Sequence, residues 1–321
     1  MGIKAGKTDS IEKKIINNDK LSNATMDDPS TKKNYNVNKK NRRLILILGC
    51  LIVLVLWIYW GNNSIEVTHH RIEDELIPKS FHGYTIVHIS DLHNKEFGKK
   101  QEKLIQKIKE VTPNLIAITG DLIDSRQTNF KKVLDLIQEL VKLAPVFYVT
   151  GNHEAWINEF EELEKGLLQA GVIIIDDTMV SLGQGNSTIQ LIGLKDPDFT
   201  LRNDWFDEAK SMIDTKLQNL ISLDTNYKIL LSHRPELMDV YADNSIHLVL
   251  SGHAHGGQFR IPLLGGLVAP DQGFFPKYSE GLYKVKGTKM IVSRGLGNSI
   301  IPIRINNRPE LVVITLGHSE D

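Results

Sequence analysis

The sequence predicts an α/β fold in which two sheets stack face to face with helices outside, preceded by one membrane-spanning helix. Three observations carry this. From Phe81 onward, short apolar runs alternate with helical patterns, as repeated β-α-β units do. After Met179 the alternation gives way to a strand-rich, Gly-rich half. Before both, Leu44 to Trp60 runs 17 residues without a charge. The chain has 321 residues, of which 41% are hydrophobic and 24% charged, which suits a globular body. It excludes collagen, a fully disordered chain and a multi-span transporter.

In chain order, residues 1–43 come first. They carry 11 Lys/Arg against 5 Asp/Glu, while the other 278 residues carry 27 against 34. The net charge of −1 therefore averages a basic tail of +6 and an acidic body of −7. The tail has one aromatic, Tyr35, and too little apolar surface to offset its ordering entropy, so it is expected to be disordered and cytoplasmic. As a helix, 44–60 would be about 25 Å long, the short end of what spans a bilayer. Trp57, Tyr59 and Trp60 close it as an aromatic belt would. Lys32, Lys33, Lys39, Lys40, Arg42 and Arg43 crowd its start. The positive-inside rule then puts the body outside the cytoplasm, on a single-pass signal anchor. Arg42-Arg43 also resembles a twin-arginine signal, and Ile47-Leu48-Gly49-Cys50 a loose lipoprotein box. No small-x-small cleavage site follows Trp60, and only six apolar residues precede Cys50. Residues 61–80 are expected as a linker reaching at most about 70 Å, and 81–321 as one domain.

Within the body, 84–90, 115–119, 146–150 and 172–175 read as buried strands, with helices over 98–111, 128–143 and 155–170 between them. Residues 179–182 and 188–194 read as antiparallel strands. A helix over 203–221 follows, then strands over 228–232, 246–251, 281–285, 290–294 and 311–315. The apolar stretch from Phe259 to Pro270, with Phe274-Phe275-Pro276, reads as a sandwich strand with its turns. The other reading is an apolar lip that accepts a lipid tail or dips into the membrane. The single cysteine excludes an intrachain disulfide and a Cys-based metal site. The acidic body gives no electrostatic case for nucleic-acid binding.

Five polar clusters sit where the apolar runs end: Asp91-Leu92-His93, Gly120-Asp121-Leu122-Ile123-Asp124, Gly151-Asn152-His153-Glu154, Ser232-His233 and Gly252-His253-Ala254-His255. Ligands of α/β sheets gather outside the carboxyl ends of strands. Taken singly, Asp91, Asp121 and Asn152 fit helix N-caps, and His233 an ordinary buried histidine. Five clusters at five strand ends are not what chance placement gives. Asp, His and Asn are oxygen and imidazole donors suited to manganese, iron or zinc. The i,i+2 pairs Asp91/His93 and His253/His255 would share a face if extended.

In this order the blocks Asp-x-His, Gly-Asp-x-x-Asp, Gly-Asn-His-Glu, a lone His and Gly-His-x-His resemble those of the calcineurin-like metallophosphoesterases, over roughly residues 83–300. Gly252 to Gln258 with Arg260 and Pro262 resembles a narrower group, the membrane-anchored or exported phosphoesterases of the bacterial cell envelope. Some of these are similar to UDP-2,3-diacylglucosamine pyrophosphatases. The resemblance implies a four-layer αββα sandwich with two divalent metal ions at one edge. By motif position, Asp91, His93 and His255 would hold the first metal, Asn152, His233 and His253 the second, and Asp121 both. His153 would face the substrate, paired with Asp124. The residues after Asp124 are Ser125-Arg126 where many relatives carry Arg-Gly or Asn-Gly, which shifts the arginine by one.

Two dications about 3.5–4 Å apart turn a bridging water into hydroxide near neutral pH, which attacks phosphorus in line. His153 would stabilise charge or protonate the leaving oxygen, with Asp124 keeping it charged. Arg260 and Arg294 are candidate phosphate clamps. The expectation is thus a di-metal phosphohydrolase acting on a phosphodiester or pyrophosphate of an envelope lipid or polymer. The alternatives are a catalytically silent scaffold, which would usually have lost some of these residues, and a nuclease, which the acidic body disfavours.

Overall fold

The computed structural model describes residues 38–201, 205–221, 226–298 and 301–320, so residues 1–37 of the tail expected over 1–43 lie outside the described residues. The unit up to Leu51 holds the first half of a helix, α1 (Lys39–Asn63), and the unit from Ile52 holds everything else. After α1 come β1 (Glu66–Asp74), β2 (Thr85–Ile89), α2 (Glu102–Val111), β3 (Leu115–Thr119), α3 (Phe130–Leu140), β4 (Val146–Val149), α4 (Asn152–Ala155), α5 (Phe160–Ala170) and β5 (Ile173–Ile174). Next are β6 (Thr178–Gln184), β7 (Ser187–Gly193), α6 (Trp205–Leu220), β8 (Lys228–Leu231), α7 (Met238–Asp243) and β9 (Leu248–Ser251). Four two-residue strands follow, β10 (Arg260–Ile261), β11 (Gly265–Gly266), β12 (Val268–Ala269) and β13 (Gly273–Phe274). The chain ends with β14 (Gly281–Val285), β15 (Thr288–Val292) and β16 (Glu310–His318).

Two six-stranded sheets result, in the orders β1-β16-β2-β3-β4-β5 and β14-β15-β9-β8-β7-β6. Strands β2 to β5 run parallel, as do β7, β8, β9 and β15, with antiparallel β6 and β14 at the edges of the second sheet. Side-chain alternation sorts the core into three sheets of contact. In β2, Val87 and Ile89 pack under α2, α3 and α5, while Ile86 faces the other sheet. In β8, Ile229 and Leu231 meet that inner layer, and Leu230 packs under α6 and α7. The order is helices, sheet, sheet, helices, the αββα sandwich.

Among the described residues one helix, α1, is long and apolar enough to cross a membrane, with a mean hydropathy of 2.7 over its most apolar window. It is longer than the expected span. Lys39 to Arg43, assigned to the tail, are helical, and the helix runs on to Asn63. The expected linker over 61–80 is corrected more sharply, because β1 occupies 66–74. Its nine residues pair in parallel with β16, from Glu66↔Glu310 to Asp74↔His318. An edge strand needs a partner backbone more than an apolar face, and Glu-Val-Thr-His-His-Arg-Ile-Glu-Asp has no clean alternation to betray it. The apolar stretch after Phe259 joins neither large sheet. It forms two small hairpins, β10–β11 and β12–β13; Leu263 and Leu264 at the tip of the first and Phe274 and Phe275 at the end of the second are exposed.

Candidate metal centre

The polar clusters follow β2, β3, β4, β8 and β9, so both sheets deliver residues to one edge. The local backbone is unusual. Asp91, His93, Asp121, His253 and His255 all have φ between 46° and 65°. Non-glycine residues rarely adopt this left-handed region, and such strain gathers at functional sites. The i,i+2 pairs therefore do not converge by extended geometry, as the sequence suggested. Left-handed kinks at both members turn their side chains inward. Gly252 shows why a glycine leads the last cluster: a Cβ there would collide with Ser90 Oγ and Asp91 Oδ2.

Among the described residues, two of the three groups of ligand atoms share Asp121, the third being Glu236, His253 and Asp271. In the first, His93 Nε2 lies 3.1 Å from His255 Nε2, 3.5 Å from Asp121 Oδ2 and 3.9 Å from Asp91 Oδ1. His255 Nε2 is 3.2 Å from Asp91 Oδ1. In the second, His233 Nε2 is 3.0 Å from Asn152 Oδ1, 3.1 Å from His253 Nδ1 and 3.4 Å from Asp121 Oδ2. Asp121 is common to both groups, and every member is buried.

The chemistry of this donor set fits metal. His233 Nδ1 lies 2.7 Å from the Thr119 carbonyl, which can only accept, so Nδ1 carries the proton and Nε2 presents a lone pair. His253 Nε2 lies 2.9 Å from Asp271 Oδ2 and 3.1 Å from the Arg234 guanidinium; in the tautomer that donates to Asp271, Nδ1 presents the lone pair. With Asn152 Oδ1 and Asp121 Oδ2, four acceptors converge where a cation satisfies them all. Burial pushes His93 down to about 3 and, with the Arg234 charge, His253 to about 4, which keeps both as the neutral imidazoles that ligate. At His233 burial opposes charge, but Asp121, Asp91 and Asp196 outweigh it and push the group up to about 10. The carboxylates there demand a positive charge, supplied by a second proton on Nε2 or, in its place, by a bound cation that takes the Nε2 lone pair.

His153 sits apart from both groups. Its Nδ1 accepts the Ser125 backbone N–H at 3.0 Å, and Ser125 Oγ is 3.1 Å away. The ring packs 4.8 Å from Trp156 and edge-on to His93. Asp124 is 3.9 Å from Nδ1, because Arg126 holds its carboxylate at 2.8–3.0 Å through two guanidinium nitrogens. The expected Asp124–His153 pair is therefore replaced by Ser125. Burial, the largest influence, lowers the His153 pKa, so the ring is neutral and not kept charged. The two candidate clamps are also engaged elsewhere. Arg260 binds Glu280 and the Gly256 carbonyl. Arg294 lies among Glu310 at 3.1 Å, Glu66 at 3.0 Å and Glu280 at 3.3 Å.

Four residues around the centre went unassigned in the sequence. Arg234 is buried, binds Asp196 through two nitrogens at 2.7 and 2.9 Å and Asp271 at 2.6 Å, and lies 3.1 Å from His253 Nε2. Asp271 orients His253 in turn. Arg304, also buried, donates to the Gly297 and Arg294 carbonyls and lies 3.3 Å from His255 Nδ1. Glu154 takes the backbone N–H groups of Asp121, Leu122 and Gly151, each at 2.8 Å, and staples two site loops together. Two of these had a local signal, since Arg234 directly follows His233 and Glu154 ends the Gly-Asn-His-Glu block. A cavity of about 730 Å³ opens over the centre, lined by Asp121, Asn152, His153, His255 and Trp156.

Residues 84–257 match the calcineurin-like phosphoesterase family. The chain is 32% identical over 265 residues to the uncharacterized metallophosphoesterase YkuE of Bacillus subtilis, covering 80% of this chain and 87% of that protein. It is 27% identical over 268 residues to the phosphodiesterase YaeI of Escherichia coli, covering 80% and 90%. It is also 27% identical over 285 residues to a transmembrane protein with a metallophosphoesterase domain from Danio rerio, covering 84% of this chain and 62% of that one.

Proposed function

The chain belongs to the calcineurin-like phosphoesterase family, and from that premise we propose that it is a di-metal phosphohydrolase held at a membrane by α1. Its body lies outside the cytoplasm and cleaves a phosphodiester or pyrophosphate of an envelope lipid or polymer. The observation that supports it most is Asp121 Oδ2, within 3.5 Å of His93 Nε2 and 3.4 Å of His233 Nε2. One carboxylate oxygen at the seam of two ligand groups suits a pair of ions. Asp91, His93 and His255 would hold one divalent ion, Asn152, His233 and His253 the other, and Asp121 both. Bound there, manganese, iron or zinc would supply an acidified water as nucleophile and neutralise charge on the phosphoryl group.

The chain's own residues do the rest. The Ser125 N–H occupies His153 Nδ1 and so leaves the proton on Nε2. A neutral imidazole with that proton fixed donates to the leaving oxygen without first having to be charged. Trp156, bound through Nε1 to Asp198 at 2.9 Å, walls the cavity beside it. The experiment is metal analysis of the purified protein, with turnover measured on bis(p-nitrophenyl) phosphate and on lipid-linked pyrophosphates. Two ions per chain with metal-dependent diester or pyrophosphate cleavage is expected. Protease added to intact protoplasts tests the side of the membrane, since it should remove the body. A protected body would turn the topology around and make a cytoplasmic substrate the better reading.

A further inference from the structure

The body is joined to α1 without a tether, and this decides what faces the lipid. Asn62, in the last turn of α1, donates from Nδ2 to the Arg304 carbonyl at 2.9 Å and accepts the Arg304 N–H at 2.8 Å. Lys95 Nζ donates to the Asn62 carbonyl at 2.6 Å. The Arg308 guanidinium lies 4.7 Å over the Trp60 ring and binds Ser64. β1 begins three residues after the helix ends. Trp57, Tyr59 and Trp60 are the side chains expected at the membrane–water boundary. Whatever is clamped to this turn is therefore held at the bilayer surface.

The clamped segment is inside out. Arg304 is buried, at 2% exposure, while Ile301, Ile303 and Ile305 point outward, Ile303 at 43%. A segment packed against water would show the reverse. The β10–β11 hairpin continues the same surface. Arg260 N–H donates to the Ile305 carbonyl at 3.0 Å, Phe259 bridges Ile305, and the tip carries Leu263, fully exposed, and Leu264, at 67%. Isolated exposed apolar residues mean little, but a run of them beside the end of a membrane helix marks an interaction site.

We propose that this face docks on the lipid bilayer, with Ile303, Ile305, Leu263 and Leu264 entering its interfacial layer. The catalytic body then rests flat on the membrane in one orientation. A groove of about 490 Å³ is lined by His93 of the metal centre, by Lys95, and by Asn298 and Pro302 beside the isoleucines. It connects the centre to the docked face. As a consequence that rests on the phosphohydrolase reading, a phosphoester carried in the membrane plane reaches the metals without leaving the lipid, past Lys95.

The test uses the full chain in vesicles of phosphatidylcholine and phosphatidylglycerol. Single nitroxides are placed at Leu264→Cys and Ile303→Cys in a Cys50→Ser background, with Leu168→Cys, an exposed position on α5, as the reference. Collision rates with oxygen and with a water-soluble nickel chelate are compared. The oxygen-to-nickel ratio should be at least several-fold higher at 264 and 303 than at 168, and the difference should vanish in detergent for Leu264. Equal ratios at all three positions would overturn the docking. All three sites are exposed, so the labels are tolerated by the fold, and a second pair at Leu263→Cys and Ile305→Cys repeats the measurement. No turnover enters the readout, so a failed docking and a failed phosphohydrolase reading remain distinct.

Discussion

The two halves of the candidate metal centre share Asp121 but stand on opposite electrostatic ground. Behind His93 and His255 lies Arg304, buried and bonded to carbonyls instead of carboxylates. Its charge is so poorly offset that burial brings its pKa down to about 10. Behind His233 and His253 lies Arg234, met by Asp196, Asp198 and Asp271 within 3.0 Å, with Glu236 at 3.8 Å. There acids outnumber the base. The histidines do not sort by half: burial holds His93 at about 3 and, with Arg234, His253 at about 4, while at His233 burial is outweighed by Asp121, Asp91 and Asp196, which raise it to about 10. Two ligand groups built from the same residue types are thus backed by opposite charges outside the ligand set, and such groups tune how tightly ligands hold a cation.

The most severe way to break this comparison is to remove what the halves share. Asp121→Asn deletes the one charge that both groups use. Activity should fall by roughly 10³-fold or more, and metal analysis should show both ions weakened together. Loss of one ion alone would place Asp121 in a single half.

Next in size is His153, which belongs to neither half. His153→Ala should keep full metal content and lose roughly 10²–10⁴ in turnover, with less loss for substrates whose leaving groups need no proton. Asp124→Ala should cost far less, because that carboxylate serves Arg126. A variant at Asp124 as impaired as His153→Ala would restore the pair the sequence suggested. Loss of an ion from His153→Ala would make it a ligand.

That correction shows what was legible beforehand. The five motif blocks were readable because each lies at the end of a short apolar run, and β3 and β14 fall where the runs predict. The identity of His153's partner was not, because two residues, Ser125 and Arg126, redirect both side chains of the expected pair. Arg234 and Arg304 were invisible for another reason. Their partners Asp196, Asp271 and Gly297 are up to 38 residues away or bind through backbone, and such contacts leave no periodicity. β1 was missed because its stability comes from β16, 244 positions later in the chain at Glu66↔Glu310.

A moderate effect sharpens the comparison directly. Under increasing chelator, the half at Asp91, His93 and His255 should empty first, since Arg304 repels its ion while the acids around Arg234 attract the other. Asp271→Asn keeps the size but removes a charge and the fixed orientation of His253, and should weaken the second ion by about 10–100-fold. The order of release should then narrow or invert. Titration of single ions by calorimetry or by cobalt absorption reads both. An unchanged order in the variant would mean that the acids around Arg234 do not set the difference.

The smallest expected effect lies furthest from the metals, in the support of the first half. Arg294 receives the Arg304 guanidinium on its carbonyl and binds Glu310, whose carboxylate also takes the Arg294 N–H at 2.8 Å and the Thr68 hydroxyl. Burial alone would raise the Glu310 pKa, but Arg294 and these hydrogen bonds outweigh it and hold the group below its usual 4.5. A carboxylate with a depressed folded-state pKa binds fewer protons folded than unfolded, so its stabilisation is fully present above about 4.5 and drains away as pH falls through the folded value. Glu310→Gln keeps an acceptor for these donors and removes the charge. It should cost about 1 kcal/mol at neutral pH, and the deficit should close below pH 4.5 because the native chain loses its advantage there. Urea unfolding across that range gives both numbers. Metal titration of the same variant should show the first half loosened and the second untouched. A deficit that persists unchanged at low pH would mean that packing at Glu310 matters and its charge does not.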